Sequence, residues 1–131
     1  MDIKVVLGEK QKVEAHYKGY VIFTDQPEHS GGDGAFPSPF DLFLASIATC
    51  AGFYVKSFCQ QRGVSEEGIE ITQKMHRNPE TRMIERIDVE IKLPAGFPEK
   101  YHQSVIKAAE ACTVKKHIAN APEFSITTKA T

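Results

Sequence analysis

The sequence has no excess of charge of either sign: 16 Lys and Arg face 17 Asp and Glu, a formal net charge of -1 over 131 residues. The charges are spread along the chain, so there is no basic footprint for nucleic acid or for an anionic membrane, and neither is expected as a partner. A long hydrophobic run is also missing. The longest charge-free apolar stretch, residues 42–55, is shorter than the roughly 20 residues that cross a bilayer, and it reads as a buried helix. Met1-Asp2-Ile3-Lys4 lacks the basic start, apolar stretch and small-residue cleavage site of a secretory leader, so a cytoplasmic location is expected. Cysteine is scarce: the three residues are an odd number at wide spacing, which fits reduced or transiently oxidised thiols better than a disulfide framework. His16, His29, His76, His102 and His117 include no pair at metal or triad spacing, so neither a metal nor another cofactor is expected. No repeat or low-complexity segment is present, and the length suits a single domain over residues 1–131 with a core of its own.

The pattern that remains is one of short elements. Ile3, Val5 and Leu7 alternate with polar residues, as do Val13, Ala15 and Tyr17, and a third apolar stretch runs Tyr20-Val21-Ile22-Phe23. Gly8-Glu9 and Lys18-Gly19 supply the turns of this meander. Residues 27–37, with Gly31-Gly32-Asp33-Gly34 inside, read as loop. Ser38-Pro39-Phe40-Asp41 is then a helix start, with Ser38 as N-cap, Pro39 at the first position and Asp41 reaching back, and Arg62-Gly63 is a helix end. The helix of about residues 39–61 is apolar on every side between Asp41 and Lys56, which predicts a central position. Two alternating stretches, Ile69 to His76 and Met83 to Leu93, joined through Asn78-Pro79-Glu80-Thr81, predict an antiparallel hairpin. Helical spacing of Tyr101, Val105, Ala108, Ala109 and Cys112, a short helix at residues 114–119, and a last strand through Phe124, Ile126 and Thr128 complete an α+β order.

Cysteine carries the candidate chemistry. Cys50 lies mid-helix with Phe43, Ile47, Phe53 and Tyr54 on its face. A free cysteine there reads first as a small buried hydrophobe, and a reactive one needs a group that holds the thiolate, since apolar burial alone raises a thiol pKa. Cys59, nine residues on, faces the opposite side roughly 13 Å along the axis, too far for a disulfide with Cys50 inside one helix. Cys112 lies between two helices, where Thr113 is able to cap, and the following amides with Lys115 and Lys116 favour a thiolate. Asp41 suits the capping box. Glu85 falls on the apolar phase of its strand close to the turn, and His117, five residues after Cys112, is a solvated helix position or a lining residue of the same site.

The stretch from Ser38 to Cys50, Ser38-Pro39-Phe40-Asp41-Leu42-Phe43-Leu44-Ala45-Ser46-Ile47-Ala48-Thr49-Cys50, resembles the OsmC/Ohr family helix, a glycine-rich loop followed by Pro-x-acidic-Leu, small apolar residues and cysteine. Cys112-Thr113-Val114-Lys115-Lys116-His117-Ile118-Ala119-Asn120 is similar to the family's Cys-Pro-Val-x-x-x-Leu segment, and the likeness extends to strand order over nearly the whole chain. The resemblance implies antiparallel sheets wrapped around two central helices in an intertwined homodimer, with the active site at the dimer interface. It implies that Cys50 attacks an organic hydroperoxide or other peroxide, becomes a sulfenic acid and condenses with Cys112, and that a dithiol reductant resets the pair. The peroxide-reducing members place an Arg in the N-terminal strands and a Glu ten residues before the first cysteine. Here the first arginine is Arg62 and the second position holds Phe40, so Lys4, Lys10, Lys12 and Lys18 are the N-terminal cations on offer. A divergent member that binds a small apolar or electrophilic ligand at the interface without turnover, and a helix serving only as a dimer core, remain as alternatives.

Overall fold

The computed structural model describes residues 1–130, and the chain divides into two compact units, one of residues 1–45 and one from Ser46 onward. In the first, β1 (Lys4–Leu7), β2 (Val13–Tyr17) and β3 (Tyr20–Thr24) form an antiparallel sheet in that order. Val5 pairs with Ala15 and Tyr17 with Tyr20. The two residues between β2 and β3, Lys18 at φ 52 and Gly19 at φ 80, are both left-handed, which is the type I′ geometry that matches strand twist.

The interior of this unit is polar. Asp25 is fully buried, and its carboxylate accepts the N–H groups of Gln26 (2.8 Å), Ala35 (3.1 Å) and Asp33 (3.2 Å). Burial opposes its charge, but these three donors outweigh that and hold the carboxyl below its usual range. Gly32 lies against it: a Cβ there would sit 2.0 Å from the Gln26 carbonyl oxygen and 2.7 Å from Asp25 Oδ1, so the loop closes only around glycine. Lys10 and Lys12 each reach Asp33 at 2.5 Å and hold its carboxyl down at about 2.

Helix α1 (Pro39–Arg62) begins with the expected reciprocal cap: the Asp41 N–H donates to Ser38 Oγ (3.1 Å) and the Ser38 N–H to Asp41 Oδ2 (2.9 Å). It ends at Gly63, φ 63, with the Val64 N–H donating to the Cys59 carbonyl at 2.9 Å. The expected all-round burial does not occur within one chain. Only Ile47, Ala51, Val55, Phe58 and Cys59 are buried, a single stripe at helical spacing. At 24 residues with a mean hydropathy of 1.5 in its most apolar window, α1 is long and apolar enough to cross a membrane, which the shorter charge-free run of residues 42–55 understates. Its stripe instead enters a protein core.

That core belongs to the second unit. Val55, Phe58 and Cys59 cluster with Phe97 and Val105, and Ile69, Ile71, Ile91 and Leu93 pack against them. β4 (Glu70–Arg77) and β5 (Ile84–Lys92) form the predicted hairpin, with Ile71 opposite Ile91 and a register shift between His76 and Arg77. Asn78 Oδ1 accepts the N–H groups of Glu80 (2.8 Å) and Thr81 (3.1 Å), which shapes the turn. A 3-10 turn over Glu99–Tyr101 leads into α2 (His102–Glu110), and α3 (Thr113–Ala119) follows. The architecture is α+β with antiparallel sheets, as the element order predicts. The last strand is not formed: residues 121–130 have no regular structure, and Phe124 and Ile126 are 84% and 95% exposed. Alternation marks a strand, but a strand needs an edge to pair with.

Candidate active site

Cys50 and Cys112, 62 positions apart in the sequence, are brought together inside the second unit, close enough for each thiol to shift the ionisation of the other. Cys50 is half-buried on α1, and Cys112 is buried between α2 and α3. Cys112 is itself the N-cap of α3, at φ -51 and ψ 124, and its sulfur accepts the Lys115 N–H at 3.4 Å, the place usually taken by a Ser, Thr or Asp oxygen. Thr113, expected as the capping residue, is instead the first helical residue. Its hydroxyl hydrogen-bonds that of Tyr54 at 2.7 Å.

The electrostatics separate the two thiols. Burial pushes Cys50 up, but the neighbouring Val114 amide, Cys112 thiol and Thr113 amide favour its charged form, outweigh burial and bring it below the ordinary thiol range. Burial pushes Cys112 up, and the adjoining negative Cys50 adds to that against the opposing Lys115 and Val114 N–H groups. The expectation that α3 amides, Lys115 and Lys116 favour a thiolate on Cys112 is therefore corrected. The Thr113 amide acts on Cys50, the Lys115 amide on Cys112 and the Val114 amide on both, and the balance with burial lowers Cys50 and raises Cys112.

The remaining candidates have other partners. Cys59 is fully buried in the core, and burial with the nearby Glu66 raises its pKa. Asp41 is in the cap. Glu85 accepts from Asn78 Nδ2 at 3.0 Å at the hairpin turn. His117 is exposed, with Nδ1 donating to the Thr113 carbonyl at 2.7 Å. Lys10 and Lys12 are paired to Asp33.

Two features of the site carry no sequence signal. One is the Tyr54 to Thr113 contact, which joins residues 59 positions apart. The other is a cavity of about 590 Å³ with Cys112 in its wall, lined by Ile47, Ala51, Ile87, Ile106 and Ile118 and bordered by Arg86 and Lys115. Arg86 is bound through Nε to Asp88 Oδ1 at 2.9 Å.

Residues 31–127 match the profile of the OsmC-like protein family. No curated protein sequence matches the chain. Among solved structures, an OsmC-like protein from Mycoplasma pneumoniae aligns with a TM-score of 0.70 at 17% identity, over 92% of this chain and 87% of that one. An organic hydroperoxide resistance protein OsmC from Legionella pneumophila aligns at 0.55 and 20% identity, over 89% of this chain and 87% of that one. An organic hydroperoxide resistance protein from Elizabethkingia anophelis aligns at 0.54 and 17% identity, over 92% and 90%.

Proposed function

The chain belongs to the OsmC-like protein family, and from that premise we propose that it reduces organic hydroperoxides with Cys50 as the attacking thiolate and Cys112 as the resolving thiol. The observation that carries this reading is the paired contact in which negative charge is favoured on Cys50 and the proton on Cys112. A thiolate is the nucleophile at sulfur. The Cys50 sulfur attacks the terminal oxygen of ROOH, a sulfur–oxygen bond forms, the O–O bond breaks, and the alkoxide leaves as ROH after taking a proton. Cys112, already in contact, then attacks the resulting sulfenic acid, expelling water and closing a disulfide. An external dithiol supplies two electrons and two protons to restore both thiols. The apolar cavity walled by Cys112 supports an organic rather than a small inorganic substrate.

The active form proposed is a homodimer, with the whole chain acting as one OsmC-like domain. What supports it is the apolar sheet of the first unit, where Val5, Val6, Leu7, Tyr20, Val21, Ile22 and Phe23 are all more than 40% exposed, well beyond scattered surface hydrophobes.

The test treats reduced protein with one equivalent of cumene hydroperoxide and maps the products by mass spectrometry. A Cys50–Cys112 disulfide and loss of dithiol-dependent turnover in Cys50→Ser are expected; full turnover in that variant overturns the reading. A second reading, a binder of a small apolar or electrophilic ligand without turnover, is favoured by one observation: the groups that lower the Cys50 thiol include no charged side chain. Stoichiometric Cys50 adducts without peroxide consumption would select it.

A further inference from the structure

The cavity of about 590 Å³ meets only one of the two thiols: Cys112 is part of its wall and Cys50 is not. Helix geometry accounts for the difference. The α1 residues in the wall are Ile47 and Ala51, and at about 100° per residue Cys50 is turned roughly 80° from the line midway between them. From the other helix come Cys112, Lys115 and Ile118, at intervals of three along α3 and its cap. The Cys112 sulfur is fixed in that wall, since it accepts the Lys115 N–H at 3.4 Å. Cys112 is only 2% exposed, whereas Cys50 is half-buried. A reagent therefore comes to Cys112 through the cavity.

Once Cys50 and Cys112 are joined in a disulfide, an incoming thiolate has to attack one sulfur and expel the other, and access decides which. It approaches along the S–S axis, from the side of the attacked sulfur that faces away from its partner. For Cys112 that approach is open from the cavity, while Cys50 is turned aside from it. The leaving group favours the same direction. The thiol of lower pKa leaves faster, and Cys50 is held below the ordinary thiol range while Cys112 is held above it.

We propose that the cavity is the route of the dithiol reductant and that Cys112 is the sulfur it attacks. One thiolate of the reductant bonds to the Cys112 sulfur, the Cys50–Cys112 bond breaks, and Cys50 leaves as a thiolate with the electron pair of that bond. The second thiol of the reductant then loses its proton and attacks its own sulfur in the mixed disulfide. Cys112 leaves, takes up a proton, and the reductant departs as a disulfide. Cys112 thus acts twice, first on the sulfenic acid and then as the entry point of the electrons. The cavity must release the alcohol product before it admits the reductant, so the two half-reactions exclude one another. This inference rests on the reading of Cys50 and Cys112 as a redox pair, but its test does not use a peroxide.

The full-length protein is oxidised with diamide and treated with benzyl mercaptan, a monothiol that cannot complete the second step. Free thiols are trapped with N-ethylmaleimide at early times and the peptides are mapped by mass spectrometry. The benzyl group is expected on Cys112 and the maleimide on Cys50, in about tenfold or greater excess over the reverse pattern. A majority of benzyl adducts on Cys50 overturns the proposal, and so does failure of diamide to form the Cys50–Cys112 disulfide. Ala109→Phe and Ile118→Phe narrow the cavity from α2 and α3, and Ile118 is 49% exposed, a position tolerant of a larger ring. Each should slow reduction of the disulfide by dithiothreitol about tenfold while alkylation of Cys50 by iodoacetamide in the reduced protein stays within about twofold. An unchanged reduction rate in the folded variants overturns the cavity route, whereas general loosening of the structure would speed both reactions. A disulfide formed by diamide but not by cumene hydroperoxide overturns the peroxidase reading alone.

Discussion

The two units of this chain are stabilised in opposite ways. From Ser46 onward, Val55, Phe58, Cys59, Phe97 and Val105 are buried together and partly buried aliphatic residues pack around them, an interior of close-packed hydrocarbon. In residues 1–45 the buried side chains are Thr24 and Asp25, while the aliphatic and aromatic residues of β1 and β3 are exposed and those of β2 only half-buried. The first kind of interior is non-directional and sums over area. The second depends on a few donors and acceptors in fixed places, so each is costly to remove. One unit is built to stand by packing, the other by polar wiring around a loop.

The sharpest way to break the contrast is at Phe58, which is 6% exposed, stacks edge-on to Tyr101 at 5.5 Å and lies under the Arg62 guanidinium. Phe58→Ala should cost about 3–5 kcal/mol in chemical denaturation, with amide exchange accelerating in β4, β5 and α2. Asp25→Ala comes next: it leaves the Gln26, Asp33 and Ala35 N–H groups without their acceptor and should cost about 2–3 kcal/mol, with protection lost first in residues 25–35. If that loss appeared instead in the hydrocarbon core, the division into two modes of stabilisation would be wrong.

A smaller effect is expected from acid. The Asp33 carboxyl is held at about 2 by Lys10 and Lys12, below its unfolded value of roughly 3.9, so its contribution is fully present above about pH 4 and lost as pH falls toward 2. Denaturation midpoints measured from pH 5 to 2 should fall in that window, and Asp33→Asn should flatten the curve. The smallest effect on the chain itself belongs to Ile22→Glu, a substitution at a 41% exposed position. It should leave secondary structure intact and shift sedimentation from dimer toward monomer. A monomer before and after the change would break the proposed homodimer.

Much of the fold was legible in the sequence because it is local. The Ser38 and Asp41 cap, the Lys18-Gly19 turn and the Arg62-Gly63 stop are each fixed by neighbours within a few positions. Burial of α1 was misread because apolar composition shows what a helix can bury, not what one chain supplies to bury it. The strand expected through Phe124 and Ile126 failed for the same reason, since its alternation names no partner. The approach of Cys50 to Cys112 was expected only through family resemblance, and the local reading that amides and lysines favour a thiolate on Cys112 left out the burial that raises that thiol. Tyr54 was legible only as a neighbour on the Cys50 face, because a tyrosine among aromatics is read as packing until Thr113 is seen against it.

The three cysteines also differ in how far a reagent must wait to reach them. Cys59 is sealed at 0% exposure in the hydrocarbon cluster, its thiol raised by burial, so it can react only when the C-terminal half of α1 opens. The molecule therefore carries its own clock: in a labelling time course the late adduct at Cys59 counts openings of the core, without a dye, a tag or an added residue.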